Sequence, residues 1–173
     1  GSTNFGLGIV GDFFKSKILS GSTLVLHDIN PETLKNTYEI ALSYKEKLGV
    51  NFNIESTTSR SDALKKADFC LISIEVGNRF ELWEQDWKVP LQYGIKQVYG
   101  ENGGAGGLFH AMRQVPAIIK ICEDIEKICP EAFVFSYSNP MQRICHALNT
   151  RFPNLRITGL CHCLLYTSDA ADE

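Results

Sequence analysis

Segments with the composition of β-strands alternate with segments of helical periodicity along the chain, and this alternation restricts its fold more than any other feature. The stretches "STLVLHD" and "DFCLISIEVG" are rich in β-branched and aliphatic residues, and the second is expected to be buried on both faces. A helix is expected from Pro31, since Asn30 can cap its start and Gly49 suits its end. This order of elements favours an α/β fold, a mostly parallel sheet with helices on both faces.

Later segments continue the alternation on either side of one irregular stretch. That stretch, residues 78–107, is rich in Trp, Gly and Pro, and the pattern assigns no element to it. Residues 108–130 are expected to be helical, with a break or kink at Pro116. The other expected elements are strands within 51–56, 131–140 and 155–162 and helices within 59–68 and 141–152.

Polar residues stand where the expected strands end. They are Asp28, Glu75 in the segment Glu75-Val76-Gly77, the pair Ser138 and Asn139, and the pair Cys161 and His162. In open parallel sheets, ligands bind beyond the carboxyl ends of the strands. The sequence therefore predicts a binding site at that edge.

The glycine-rich stretch "GLGIVG", Gly6 to Gly11, has the G-x-G-x-x-G spacing of a dinucleotide-phosphate loop. Asp28 follows Gly6 by 22 residues, which suits the acid that binds the ribose in such folds. However, only "GSTNF" precedes the motif, too short and polar for the strand that such a loop must follow. In the other interpretation residues 4–18 form the first helix. The sequence pattern alone does not decide between a phosphate loop and a helix.

Charge, apolar content and cysteine use exclude several classes of function. The chain has 173 residues and a net charge of −3, so it lacks the cationic surface expected of a nucleic-acid binder. No apolar run approaches the ~20 residues needed to cross a membrane. The six cysteines include no C-x-x-C pair, and the first four are expected to be buried thiols in a reducing, cytoplasmic protein.

The last eleven residues, "CLLYTSDAADE", continue none of the preceding periodicities. They read as the translation of a sequencing-library transposon adapter, so residues 163–173 are expected to be non-native. Residues 1–162 would then form an incomplete nucleotide-binding domain, and Cys163 would not be a metal ligand. The alternative is a native disordered tail.

The stretch "VGNRFELWEQDWKVPLQYGIKQVYGENGGAGGLFHAMRQVP", with "YSNP" and "GLCH" downstream, resembles glycoside hydrolase family 4. The members of that family are NAD- and metal-dependent glycosidases, and the resemblance covers Gly1 to His162. It implies a Rossmann-like domain whose first strand is missing, with Gly1 and Ser2 at the end of the phosphate turn and "GLGIVG" inside the following helix. One difference is Ala105, where the family usually has Pro; we expect a less rigid loop that still functions.

The resemblance implies hydrolysis by redox-assisted elimination. NAD⁺ takes a hydride from sugar C3, a base removes the C2 proton, the glycosidic oxygen leaves, water adds and the hydride returns. A divalent metal, usually Mn²⁺, polarises the oxygens at C2 and C3. In the family the second metal ligand and the base lie downstream of His162, so we expect this chain by itself to be inactive.

The resemblance also implies roles for individual residues. The residues matched to NAD binding are Gly1, Ser2, Asp28, Val76 and Asn139. The residues matched to substrate binding are Glu101, Asn102 and Asn139. Cys161 matches the thiolate metal ligand, and His162 the residue that assists departure of the leaving group. Relatives that act on 6-phosphorylated sugars tend to carry Asp or Asn in place of this His, which implies an unphosphorylated α-glucoside, α-galactoside or α-galacturonide as substrate.

Simpler interpretations stay open for the same residues. Asp28 could be a helix-capping acid, Asn139 a turn residue and Cys161 a buried thiol at a strand end. For the whole protein, the alternatives are a lactate/malate-type NAD-dependent dehydrogenase and a non-catalytic nucleotide-binding module. The glycosidase interpretation further implies a homo-oligomer of the full-length protein.

Overall fold

A computed structural model describes residues 3–100 and 102–161, with side chains from Leu7 onward. The chain divides into two compact units, residues 1–66 and 67–173, and each is described by itself. The elements of the first unit are α1 (Thr3–Lys15), β1 (Thr23–His27), α2 (Pro31–Leu48), β2 (Asn53–Thr57) and α3 (Arg60–Leu64). The elements of the second unit are β3 (Phe69–Ile72), α4 (Arg79–Gln92), α5 (Gly104–Ile128), β4 (Phe133–Ser136), α6 (Met141–Arg151) and β5 (Arg156–Gly159).

All strand pairs of the described residues are parallel, as expected. In the first unit β1 pairs with β2, with Thr23 opposite Asn53. In the second unit the order is β3-β4-β5, so β4 is the central strand. The predicted α/β class with parallel strands and intervening helices is confirmed.

The stretch "GLGIVG" lies inside α1, which confirms the helical interpretation of these glycines. The helix contributes Val10 and Phe14 to a core completed by Ala41 of α2 and Phe52. The rings of Phe14 and Phe52 are 5.3 Å apart between centroids. Because these residues need a helical spacing to reach one core, the hydrophobic pattern of α1 outweighs its loop-like glycines.

The predicted ends of α2 are confirmed. Asn30 Oδ1 accepts hydrogen bonds from the N–H groups of Glu32 (3.0 Å) and Thr33 (3.2 Å). Gly49 ends the helix with φ +62°, a left-handed conformation that glycine adopts without a steric cost.

The expectation that 68–77 is buried on both faces is wrong for the described chain. The strand is limited to Phe69–Ile72, and its burial alternates: Cys70 and Ile72 are buried, whereas Phe69 is 57% and Leu71 47% exposed. On the exposed face the ring of Phe69 stacks on that of Phe133, 5.8 Å away in β4. The described residues therefore cover this sheet on one face only.

The irregular stretch 78–107 contains a helix, α4, that the sequence pattern did not reveal. Pro90 lies in its last turn, where it lacks the N–H that would bond to the carbonyl of Asp86. Gln97 Nε2 donates to that carbonyl instead, at 2.9 Å. Helix α5 also begins earlier than expected, at Gly104, and it runs through Pro116 without a break.

The cysteines follow the prediction for the most part. Cys70, Cys122 and Cys129 are buried, Cys145 is half-buried, and no disulfide joins those of the described residues. Burial raises the pKa of Cys70 and of Cys122 to about 12, so both remain neutral thiols at physiological pH. Within residues 3–100 and 102–161, no helix combines the length and apolar character that a membrane span requires.

Candidate functional site

Three residues expected in the site follow the three strands of the second unit. Val76 follows β3, Asn139 follows β4 and Cys161 follows β5. Because the strands are parallel, all three residues lie beyond the same, carboxyl edge of the sheet. All three are half-buried. This is the edge at which open α/β sheets bind their ligands.

A buried serine joins the loops that follow β3 and β4. The hydroxyl of Ser138 accepts a hydrogen bond from the N–H of Ile74 (2.9 Å) and donates one to the carbonyl of the same residue (3.0 Å). The N–H of Tyr137 donates to the carbonyl of Ile72 at 2.8 Å, which extends the pairing of the strands beyond β4. The backbone next to Val76 and Asn139 is therefore held from both loops.

The carboxylate of Glu75, immediately before Val76, is bound by two side chains of α5. His110 and Gln114 are one helical turn apart and only 4% and 0% exposed. Nε2 of His110 lies 3.0 Å from Oε1 of Glu75, and the amide of Gln114 donates to the same oxygen. These contacts attach the loop after β3 to α5. His110 and Gln114 were not among the predicted site residues, although two polar residues on an otherwise apolar helix face were a usable signal.

A charged pair joins α4 to α5. Asp86 is buried, and both of its oxygens accept hydrogen bonds from Arg113, from Nη1 at 2.9 Å and from Nη2 at 2.5 Å. The hydrogen bonds with Asp86 raise the pKa of Arg113 above its already high ordinary value, so the guanidinium stays charged. The side chains that line the small cavity beside this pair are those of Glu75, Arg79, Trp83, Asp86, His110 and Arg113.

The cavity contains two N–H groups that the described residues leave without an acceptor. They are Nε1 of Trp83 and Nε of Arg113. The indole of Trp83 stacks on the ring of Tyr99, with 4.8 Å between centroids, and the guanidinium of Arg79 lies over the Trp83 ring, 5.1 Å from its centroid. A group that enters this cavity would have to supply acceptor atoms.

The glycines that open α5 allow the loop before it to approach closely. A Cβ added at Gly107 would lie 2.5 Å from the backbone carbon of Asn102, and one at Gly106 would lie 2.9 Å from the carbonyl of Asp86. The exposed Asn102, expected to bind substrate, is thus held against the first turn of the helix. Ala105, which the sequence led us to expect in a less rigid loop, stands inside this turn.

Asp28 belongs to the first unit, directly after β1. Its Oδ1 accepts a hydrogen bond from the N–H of Asn30 at 2.8 Å. Since Asn30 itself caps α2, the capping role considered for Asp28 is filled by its neighbour, and Asp28 supports the turn between β1 and α2.

Four residues expected in the site, Gly1, Ser2, Glu101 and His162, lie outside the described residues, as does the segment 163–173. Among the residues that are described, no group of three or more His, Cys, Asp or Glu side chains is arranged to hold a metal ion. Cys161 is the described residue that was predicted as a metal ligand, and no such group of three includes it.

Comparison with known proteins gives consistent matches. Residues 1–172 match the family described as family 4 glycosyl hydrolase. The α-glucosidase of Erwinia rhapontici is 53% identical over 162 residues, which are 94% of this chain and 36% of that protein. The α-galactosidase of Bacillus subtilis is 31% identical over 94% of this chain and 37% of that protein.

A solved structure with the same fold carries ligands. The crystal structure of a 6-phospho-α-glucosidase from gut microorganisms, in complex with NAD and Mn²⁺, is 26% identical, with a TM-score of 0.80 over 92% of this chain and 36% of that chain. The chain spans little more than a third of the length of the curated relatives it matches.

Proposed function

The chain belongs to family 4 of the glycosyl hydrolases, and on that premise we propose that the protein is an NAD- and metal-dependent glycosidase that hydrolyses unphosphorylated α-glycosides. The similarity to an α-glucosidase at 53% identity is the observation that carries the proposal. The NAD and Mn²⁺ in the structure of the 6-phospho-α-glucosidase support the choice of cofactors. A cytoplasmic location and a homo-oligomeric assembly are part of the same proposal.

The geometry of the carboxyl edge supports a nucleotide cofactor. Bound NAD would supply a hydride acceptor that becomes the donor when the reaction is completed. In this proposal Val76 and Asn139 contact the cofactor from two loops that Ser138 joins. Asp28 accepts hydrogen bonds from the hydroxyls of the adenosine ribose, as a carboxylate at the end of a second strand does in dinucleotide-binding folds.

The remaining predicted NAD-binding residues, Gly1 and Ser2, are proposed to end the phosphate turn. Glu101, Asn102 and Asn139 are proposed to bind the sugar. The held position of Asn102 against Gly107 supports this assignment, because a binding residue must be fixed to be selective.

Cys161 is proposed as one ligand of the metal. A thiol becomes a thiolate at neutral pH when a cation lies beside it, and a divalent metal would provide that charge. The described residues contain no group of three or more His, Cys, Asp or Glu side chains that could hold a metal ion, so we derive no step of the reaction through the metal. His162 is proposed to assist departure of the leaving group, since an imidazole can both give and take a proton near neutral pH.

The proposal is tested with the full-length protein, an aryl α-glycoside, NAD⁺, Mn²⁺ and a thiol reductant. We expect hydrolysis that stops when NAD⁺ is removed or the metal is chelated, and that is slower with the 6-phosphorylated glycoside. Hydrolysis that continues without NAD⁺ and with a chelator would refute the proposal. Net reduction of NAD⁺ by a 2-hydroxy acid would indicate a dehydrogenase instead, and NAD binding without turnover a nucleotide-binding module.

Two substitutions test the individual roles. Cys161→Ser should strongly reduce the metal-dependent rate, and an unchanged rate would exclude Cys161 as a ligand. His162→Asp should change the preference between plain and 6-phosphorylated glycosides or the rate, and an identical substrate profile would count against its role.

A further inference from the structure

We propose that Glu75 is a positioning residue for the cofactor: its carboxylate, held by His110 and Gln114, fixes the loop on which Val76 contacts NAD. This inference rests on the proposed function, which supplies the contact at Val76. The role of Glu75 itself is read from the hydrogen bonds around it.

The carboxylate of Glu75 has two donors on one rigid element. His110 Nε2 and Gln114 Nε2 both lie within hydrogen-bond distance of Oε1 and are 3.2 Å from each other. Both belong to α5, a helix of 25 residues whose buried side chains anchor it in the second unit. A carboxylate held by two buried donors has little rotational freedom, so residues 73–77 are tied to the core of this unit.

The loop is fixed at a second point as well. Ile74 is bonded through both its N–H and its carbonyl to the hydroxyl of Ser138. Gly77 ends the loop with φ +83°, and a Cβ at this position would lie 2.6 Å from Cδ1 of Leu82. Val76 therefore stands between the carboxylate anchor at Glu75 and a turn that only glycine fits.

The burial of the two donors argues for a positioning role and against a mainly stabilising one. Burying an imidazole and an amide costs free energy unless they are bonded, and the carbonyl oxygen of Gln114 has no partner among the described residues. Apolar side chains would fill this space on α5 without that cost. The polar pair is thus explained by what it holds, the carboxylate beside the proposed cofactor contact.

The test compares Glu75→Ala and Glu75→Gln in the full-length protein. Dissociation constants for NAD⁺ are measured by calorimetry in the absence of sugar. The values of kcat and of KM for NAD⁺, and the pH profile of the rate, are measured with an aryl α-glycoside as substrate. We expect Glu75→Ala to raise both the dissociation constant and KM for NAD⁺ about tenfold, as the loss of a charge-assisted hydrogen-bond network would. Glu75→Gln should recover most of the affinity, because its amide oxygen still accepts from both donors.

The matched control is Glu81→Ala, an exposed carboxylate in the first turn of α4. It should leave NAD⁺ affinity unchanged. If Glu75→Ala does not fold, Gln114→Met serves in its place, since it keeps the volume and removes one donor; it should weaken NAD⁺ binding about threefold.

Several results would overturn the inference. If Glu75→Ala binds NAD⁺ as tightly as the wild type, the carboxylate has a purely structural role. Where Glu75→Ala does not fold, the same result for Gln114→Met leads to the same conclusion. Loss of one limb of the pH profile in Glu75→Gln would make Glu75 an acid or base in the reaction. Hydrolysis that does not need NAD⁺ refutes the proposed function, whereas the binding constants test the role of Glu75 separately; a wild type that binds no NAD⁺ refutes both.

Discussion

Replacing Gly8 by Ala distinguishes a helix from a phosphate-binding loop in the stretch "GLGIVG". In a phosphate loop the glycines let the backbone approach the pyrophosphate, so an added methyl group weakens dinucleotide binding. In α1 the same residue is an exposed position in a helix interior, and glycine there is only a weak helix former.

The expected gain in stability follows from the surroundings of Gly8. An added Cβ meets no atom within 4 Å, so the substitution causes no clash and forms no new contact. What remains is the difference in helix propensity, about 0.8–1 kcal/mol in favour of Ala. For a chain of this size that corresponds to a rise of ~2–4 °C in the unfolding temperature.

The assay combines thermal unfolding followed by circular dichroism with an NAD⁺ titration of the full-length protein. Gly11→Ala is the matched control in the same helix, since its Cβ would contact the ring of Tyr44 at 3.4 Å and should give a smaller gain. NAD⁺ affinity should stay within about twofold of the wild type. A lower unfolding temperature for Gly8→Ala, or a large loss of NAD⁺ affinity at unchanged stability, would refute the assignment of this stretch to a helix that does not form the phosphate loop.

Three further substitutions test the second unit. Asp86→Ala leaves the half-buried guanidinium of Arg113 without its carboxylate and should lower the free energy of unfolding by about 3 kcal/mol. Glu84→Ala breaks an exposed ion pair of α4 and should lower it by less than ~0.5 kcal/mol. Equal effects of the two substitutions in urea titrations followed by tryptophan fluorescence would contradict this. Gly107→Ala should lower the free energy of unfolding by ~1–3 kcal/mol, because its Cβ would overpack against Asn102. Gly103→Ala should lower it much less, because its Cβ meets nothing within 4 Å. The reverse order of unfolding temperatures would be evidence against the close approach of Asn102 to Gly107. The pKa of the Cys122 thiol is about 12 in the fold and about 8.5 in the unfolded chain. The stability that this difference contributes is fully present below the unfolded pKa. It is lost as the pH rises toward 12, by about 1.4 kcal/mol per pH unit. Cys122→Ala should therefore flatten the decline of unfolding free energy above about pH 9, and an unchanged slope would show that this thiol ionises freely.

Local signals in the sequence were enough to predict the elements that depend on neighbours in the chain. The start and end of α2 followed from Asn30 and Gly49, because a cap bonds to the backbone two or three residues away. The parallel pairing of the strands followed from the alternation of elements, and with it the common edge on which Val76, Asn139 and Cys161 lie.

Features that depend on distant residues could not be predicted in this way. Helix α4 tolerates Pro90 because Gln97, beyond the end of the helix, donates a hydrogen bond to the carbonyl of Asp86, which proline leaves without its helical donor. The partners of Glu75 are 35 and 39 residues further along the chain, so no local pattern associates them with its carboxylate. The choice between loop and helix for "GLGIVG" likewise depended on Phe52, which lies outside the motif and completes the core that α1 packs against.

The exposed face of β3 and β4 has a consequence for handling the isolated chain in solution. The side chains of Phe69, Leu71 and Phe133 lie side by side on this face and are exposed to water. Contiguous apolar surface of this kind is a common cause of self-association and precipitation in soluble proteins. We expect solubility to limit the usable concentration of these 173 residues, and charged substitutions on this face, away from the carboxyl edge, to be the means of raising it.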